Sequence, residues 1–136
     1  MTMVIDSSVT LAWCFEDERT DAATALLRQV AENGAIVPDI WRYEIANGLH
    51  TAMIKGRIDK KYRDATFADL DKLSITIDPE SNRETWGRTA QQAERFRLTI
   101  YDAAYLELAA RLGAPLATFD HALIKAAKAA GVETAR

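Results

Sequence analysis

Two rhythms of apolar residues divide this chain. Short apolar or β-branched runs predict strands at 3–5, 35–37, 74–78 and 116–119. Between them, apolar residues recur at helical spacing. The pattern predicts helices over 7–15, 20–33, 38–56, 59–73, 83–97, 101–112 and 120–130. The second carries Ala23, Leu26, Leu27 and Val30 on one side, and the third carries Trp41, Ile45, Leu49 and Ala52. Punctuation agrees: Gly34 and Gly113 stand where C-caps belong, Pro38 and the N-cap candidate Asp39 open a helix, and Pro79 stops a strand. Val132 and Glu133 offer a short final strand.

Strands separated by helices imply right-handed crossovers and a mainly parallel central sheet flanked by helices on both faces, an α/β three-layer sandwich. The 136 residues suit a single domain. No repeat or low-complexity linker interrupts them.

Composition narrows the class. An apolar fraction of 49% and a charged fraction of 27% describe an ordinary globular chain rather than a disordered one. The lone Cys14, beside Leu11, Ala12 and Trp13, cannot close an intrachain disulfide and reads as a packing residue. No run approaches the ~20 apolar residues of a membrane span, and the start lacks a signal-peptide pattern. The expectation is a soluble cytoplasmic protein. A net charge of −3 does not suit a surface that is basic throughout, although local patches can differ.

Four acids carry the candidate chemistry. Asp6 follows the first strand, Asp120 follows the last, and Asp102 opens the helical run at 101–112. Ligands collect beside the carboxyl ends of parallel strands, so residues distant in sequence can meet there. Each of these three also suits an N-cap. Glu44 does not. It lies about 60° from Trp41 and about 40° from Gly48 on a helical wheel, at the edge of an apolar stripe. An acid there needs a partner, a proton or a cation. Two unit charges ~6 Å apart repel by roughly 3 kcal/mol at an effective dielectric of 20, so a shared cleft calls for a divalent ion. Oxygen-only donors select Mg²⁺, with Mn²⁺ as a substitute. Zinc is disfavoured, because His50, His121 and Cys14 lack zinc-site spacing. Ser7, Ser8, Asn47 and Thr118 are candidates to orient carboxylates or metal-bound waters. The rival reading is a non-catalytic α/β binding module whose acids mainly cap helices.

The segments Met3-Val4-Ile5-Asp6-Ser7-Ser8, 37–47 (containing Pro38, Asp39, Trp41, Glu44 and Asn47), Tyr101-Asp102-Ala103-Ala104-Tyr105 and Leu116-Ala117-Thr118-Phe119-Asp120 resemble the successive signatures of PIN-domain ribonucleases. More narrowly, they are similar to the VapC-type toxins of toxin-antitoxin pairs. The likeness spans essentially the whole chain. It implies a Mg²⁺-dependent endoribonuclease with Asp6, Glu44, Asp102 and Asp120 in the acidic positions and Thr118 as the hydroxyl residue two before the last acid. It further implies a homodimer and a cognate antitoxin that inhibits it. Hydrolysis leaving 5′-phosphate and 3′-hydroxyl ends is the expected reaction. Arg95 and Arg97, just before Asp102, and the segment Lys55, Arg57, Lys60, Lys61 and Arg63 are the candidate RNA contacts. A haloacid-dehalogenase-like site would need a second aspartate at position 8, where Ser8 stands, and a receiver domain would need an acidic pair where Ser7 follows Asp6.

Overall fold

The computed structural model describes residues 2–135. Four short strands, β1 (Met3–Ile5), β2 (Ala35–Val37), β3 (Ile75–Ile77) and β4 (Leu116–Ala117), form one sheet in the order β3-β2-β1-β4. Every pairing is parallel. The connections carry α1 (Ser7–Cys14), α2 (Asp21–Asn33), α3 (Ile40–Ile54), α4 (Lys60–Asp71), α5 (Ala90–Phe96) and α6 (Ile100–Leu112), and α7 (His121–Ala129) follows β4. The mainly parallel three-layer α/β architecture read from the hydrophobic pattern is the one observed.

Strand order explains where a site belongs. The chain steps outward from β1 to β2 to β3, then returns to the far side of β1 as β4. Right-handed connections running in opposite directions lay their helices on opposite faces. Accordingly α1 packs on α2 and α3, and α3 on α4, while α6 packs on β1, β4, α5 and α7. The reversal between β1 and β4 is a topological switch point, where a crevice opens beyond the carboxyl ends of the strands. Asp6 follows β1 there, and Thr118 and Asp120 follow β4.

Burial holds this frame in place. Val4, Ile5, Val9, Leu26, Val30, Leu49, Leu106, Leu108, Leu116 and Leu123 have at most 1% of their surface exposed. Each fully buried aliphatic side chain contributes roughly 1.5–3 kcal/mol, so these residues dominate the core. Trp41 Nε1 donates to Thr10 Oγ1 at 2.9 Å, and Thr10 Oγ1 donates to the Asp6 carbonyl at 3.1 Å. These bonds tie α3 to the start of α1. Gly48 allows the helices to close, because a Cβ there would come within 2.7 Å of the Leu11 side chain. At Gly34, φ is 75° and a Cβ would stand 2.8 Å from the Ser74 carbonyl oxygen, so glycine is required at the entry to β2.

Several boundaries differ from the sequence expectation. The strand expected at 116–119 ends at Ala117, because the Thr118 hydroxyl accepts from the Asp120 N–H at 3.0 Å and turns the chain into α7. Asp39 makes no side-chain cap. Its own backbone is helical, and Trp41 N donates to the Pro38 carbonyl at 3.1 Å. The helix expected over 83–97 divides into a wide turn at Thr85–Thr89 and α5, with the Thr89 N–H reaching back to the Glu84 carbonyl at 3.1 Å. Val132 and Glu133 form no ladder of their own. The adjacent Thr134 instead makes one parallel bridge to Leu116, which shields the outer edge of β4.

Candidate active site

Parallel register brings the first two acids together. Ile5 pairs with Ala117, and the Asp6 N–H donates to the Ala117 carbonyl at 3.1 Å, so the residues after the two strands lie side by side. Asp6 is 3% exposed. Its Oδ1 accepts from Ser8 Oγ at 2.7 Å and from the Val9 N–H at 3.1 Å, while Oδ2 accepts from Thr118 Oγ1 at 2.5 Å. Ser8 Oγ also accepts from the Phe119 N–H at 3.0 Å, lacing the two strand ends together.

Asp6 is therefore an N-cap of α1 and a member of an acidic group at once. Asp120 is similar, capping α7 through Oδ1 and the Ala122 N–H at 2.9 Å. Asp102 does not cap its helix. Thr99 does, accepting from the Asp102 N–H at 3.1 Å, which leaves the Asp102 carboxylate free of that role. Capping thus accounts for Asp6 and Asp120 but not for Asp102.

Glu44 faces the group from α3. Among the described residues its hydrogen-bond partner is not an arginine but Tyr105 on α6, whose hydroxyl donates to Oε1 at 2.5 Å. Ser7 also favours its charged form. Tyr105 was absent from the residues singled out for a site, although it belongs to the Tyr101–Tyr105 motif. Its position three residues after Asp102 puts both on one helical face, a signal available in the sequence. Asn47, one turn beyond Glu44, is exposed and makes no hydrogen bond to the acids among the described residues.

The electrostatics record how close these groups are. Burial pushes Asp6 above the usual carboxylate range against the pull of Ser8, Thr118 and the Val9 N–H, and the Asp120 charge raises it further. Burial also raises Glu44; Tyr105 and Ser7 oppose this, and the Asp6 charge adds to it. Asp102 is pushed up to about 6, first by burial and then by the charges of Asp120, Asp6 and Glu44, with a hydrogen bond to Asp120 acting in the same direction. Burial and Glu44 hold the Tyr105 phenol protonated. Among the described residues, none of the four acids forms a salt bridge with lysine or arginine. No three or more histidine, cysteine, aspartate or glutamate side chains among the described residues are close enough together to hold a metal ion between them directly.

The basic candidates are less unified. Arg57 stacks over Phe15 at 4.5 Å and pairs with Asp17 and Glu18, each at 3.2 Å, and Arg63 pairs with Asp64. Lys55, Lys60 and Lys61 are exposed. Arg95 and Arg97 are exposed immediately before α6; Arg97 closes α5 with φ of 54°, a left-handed conformation costly for a residue with a Cβ. Cys14 is buried, and burial pushes its thiol up to about 11, in keeping with a packing role.

A second ionic cluster escaped the sequence reading. Glu107, 2% exposed on α6, is held by Arg111 Nε at 2.8 Å, and Arg111 Nη2 reaches Asp78 at 2.7 Å. Ser81 donates to Asp78 at 2.6 Å. The guanidinium and serine hold Asp78 below its usual range despite burial, and clamp the end of β3 to α6. The i, i+4 spacing of Glu107 and Arg111 is legible in sequence, but their burial is not.

The fold and its acids define an α/β domain with a group of interacting carboxylates at the switch point of a parallel sheet. The chain matches the PIN domain family over residues 3–129, and it belongs to that family. It is similar to Ribonuclease VapC3 of Pyrobaculum aerophilum, at 28% identity over 123 residues covering 90% of this chain and 92% of the relative. The crystal structure of PAE2754 from Pyrobaculum aerophilum superposes with a TM-score of 0.69 over 93% of this chain and 84% of that one; at 20% identity this likeness bears on the fold alone. No helix among the described residues is long and apolar enough to cross a membrane.

Proposed function

We propose that the chain is a divalent-metal-dependent endoribonuclease of the toxin-antitoxin type, acting in the cytoplasm as a homodimer held in check by a cognate antitoxin. Membership of the PIN family and the similarity to a ribonuclease support the reaction class. The observation that carries the metal reading is the unbalanced charge: the four acids act on one another with no basic partner among the described residues, and burial and mutual repulsion raise Asp6, Glu44 and Asp102.

Asp6, Glu44, Asp102 and Asp120 would hold the ion, directly or through water. An open, all-oxygen arrangement suits Mg²⁺, or Mn²⁺ in its place, because Mg²⁺ retains several waters and needs only one or two protein carboxylates. When bound, such an ion lowers the pKa of a water and offsets charge on the leaving oxygen. Thr118 and Ser8 orient Asp6, and Tyr105 orients Glu44, so these three act as positioning residues. Arg95 and Arg97, exposed in the segment before α6, would draw the RNA backbone toward that helix. In the reaction, a water oxygen bonds to phosphorus while the bond to the 3′ oxygen breaks, leaving a 5′-phosphate and a 3′-hydroxyl.

The test incubates purified protein with total cellular RNA, with and without Mg²⁺, and maps new 5′ ends. New 5′-phosphate ends are expected only with the metal and only from the wild type, not from Asp6→Asn. Full cleavage in excess EDTA, or by Asp6→Asn at the wild-type rate, contradicts the assignment.

A further inference from the structure

A groove of about 270 Å³ is walled by α3 and α6, two helices that also carry acids of the site, and is lined by Pro38, Tyr43, Asn82, Ile100 and Tyr101 among others. Tyr43 directly precedes Glu44 on α3 and Tyr101 directly precedes Asp102 on α6, so the helices that line the groove are the ones that carry two of the acids. Both tyrosines face solvent, at 80% and 58% exposure, which the core does not explain. Among the described residues the lining carries one charged side chain, Asp39, and no lysine or arginine.

That chemistry discriminates between parts of a nucleotide. A phosphate finds no counter-charge in the groove and is repelled by Asp39. A neutral planar base finds two aromatic faces, the apolar surfaces of Pro38 and Ile100, and in Asn82 a carboxamide with both donor and acceptor atoms for its edge. We propose that this groove is a nucleobase subsite for the nucleotide beside the scissile phosphate, with Tyr43 and Tyr101 as stacking residues and Asn82 reading the base edge. The inference rests on the nuclease reading for the identity of its substrate. It adds a physical source of sequence preference to that reading.

The test measures anisotropy of a labelled single-stranded oligoribonucleotide in EDTA, alongside a set in which one base at a time is replaced by an abasic site. Wild type, Tyr43→Ala, Tyr101→Ala and Tyr101→Phe are compared, with sedimentation to record their oligomeric state. Each alanine substitution is expected to weaken binding of the intact strand by about 5- to 150-fold, the range for loss of one stacked base. An abasic site at one position should weaken wild type similarly while leaving the alanine variants almost indifferent, and Tyr101→Phe should retain wild-type behaviour.

Wild-type affinity in both alanine variants, or no position sensitive to base removal, overturns the subsite. So does an alanine variant that turns from dimer to monomer while binding RNA normally, since the groove would then be a face between copies. A parallel cleavage assay in Mg²⁺ and Mn²⁺ separates the two proposals. Protein that shows the stacking signature but cuts nothing retains the subsite and refutes the nuclease reading. Protein that cuts, with unchanged KM in both alanine variants, does the reverse.

Discussion

Replacing Asp102 by asparagine should make the metal-free protein more stable while removing its activity. Asp102 has a pKa of about 6 in the folded chain against an ordinary 3.8, so the native state holds its proton more tightly than the unfolded state. Stability therefore falls as pH rises from about 4 to about 6, and the whole penalty is present above that window. A gap of about two pKa units corresponds to ~3 kcal/mol, and solvent screening of this half-buried group reduces it to on the order of 1.5 kcal/mol. For a domain of this size that is a shift of roughly 5 °C in Tm. Thermal melts in EDTA should show Asp102→Asn above wild type by that margin at pH 8, with most of the lead gone at pH 4. Saturating Mg²⁺ should raise wild type more than the variant, because bound metal relieves the same repulsion. An Asp102→Asn protein no more stable than wild type at pH 8 in EDTA would refute the electrostatic reasoning, whatever its activity.

Other substitutions separate orientation from stability. Tyr105→Phe removes the hydroxyl that holds Glu44 and should lower kcat by about 10- to 100-fold, with a stability loss of only ~1 kcal/mol in urea titrations. Arg111→Met leaves Glu107 buried without its partner and should destabilise the fold by about 3–5 kcal/mol, measured the same way at pH 7. Arg97→Gly relaxes the left-handed end of α5 and should stabilise by ~1 kcal/mol, while reducing the salt slope of RNA binding by about one if Arg97 meets a phosphate. An unchanged slope would return Arg97 to ordinary surface.

Local pattern carried most of the architecture because burial in a parallel sheet demands it. The wholly apolar β1 and the stripe Trp41, Ile45, Leu49 and Ala52 are buried as their spacing requires. Acids at strand ends were legible for the same reason, since their position follows from topology. What could not be read lies in contacts between distant segments. The Tyr105 bond to Glu44 spans α6 and α3, and the Thr118 hydroxyl that accepts from the Asp120 N–H also donates to Asp6, from the other end of the chain. Thr99, rather than Asp102, caps α6 because the helix begins at Ile100, three residues before the start that an Asp102 cap would need. Asp78, Glu107 and Arg111 form a buried cluster only once β3 and α6 meet.

The most direct test of the central claim is cleavage of a labelled single-stranded RNA by the purified wild-type chain across a Mn²⁺ titration, with Asp6→Asn and Glu44→Gln proteins in parallel. The account predicts no cleavage without metal, saturable cleavage with it, and near-complete loss in both variants while their folded structure persists in melting curves. Metal-independent cleavage, or wild-type rates in either variant, would contradict it.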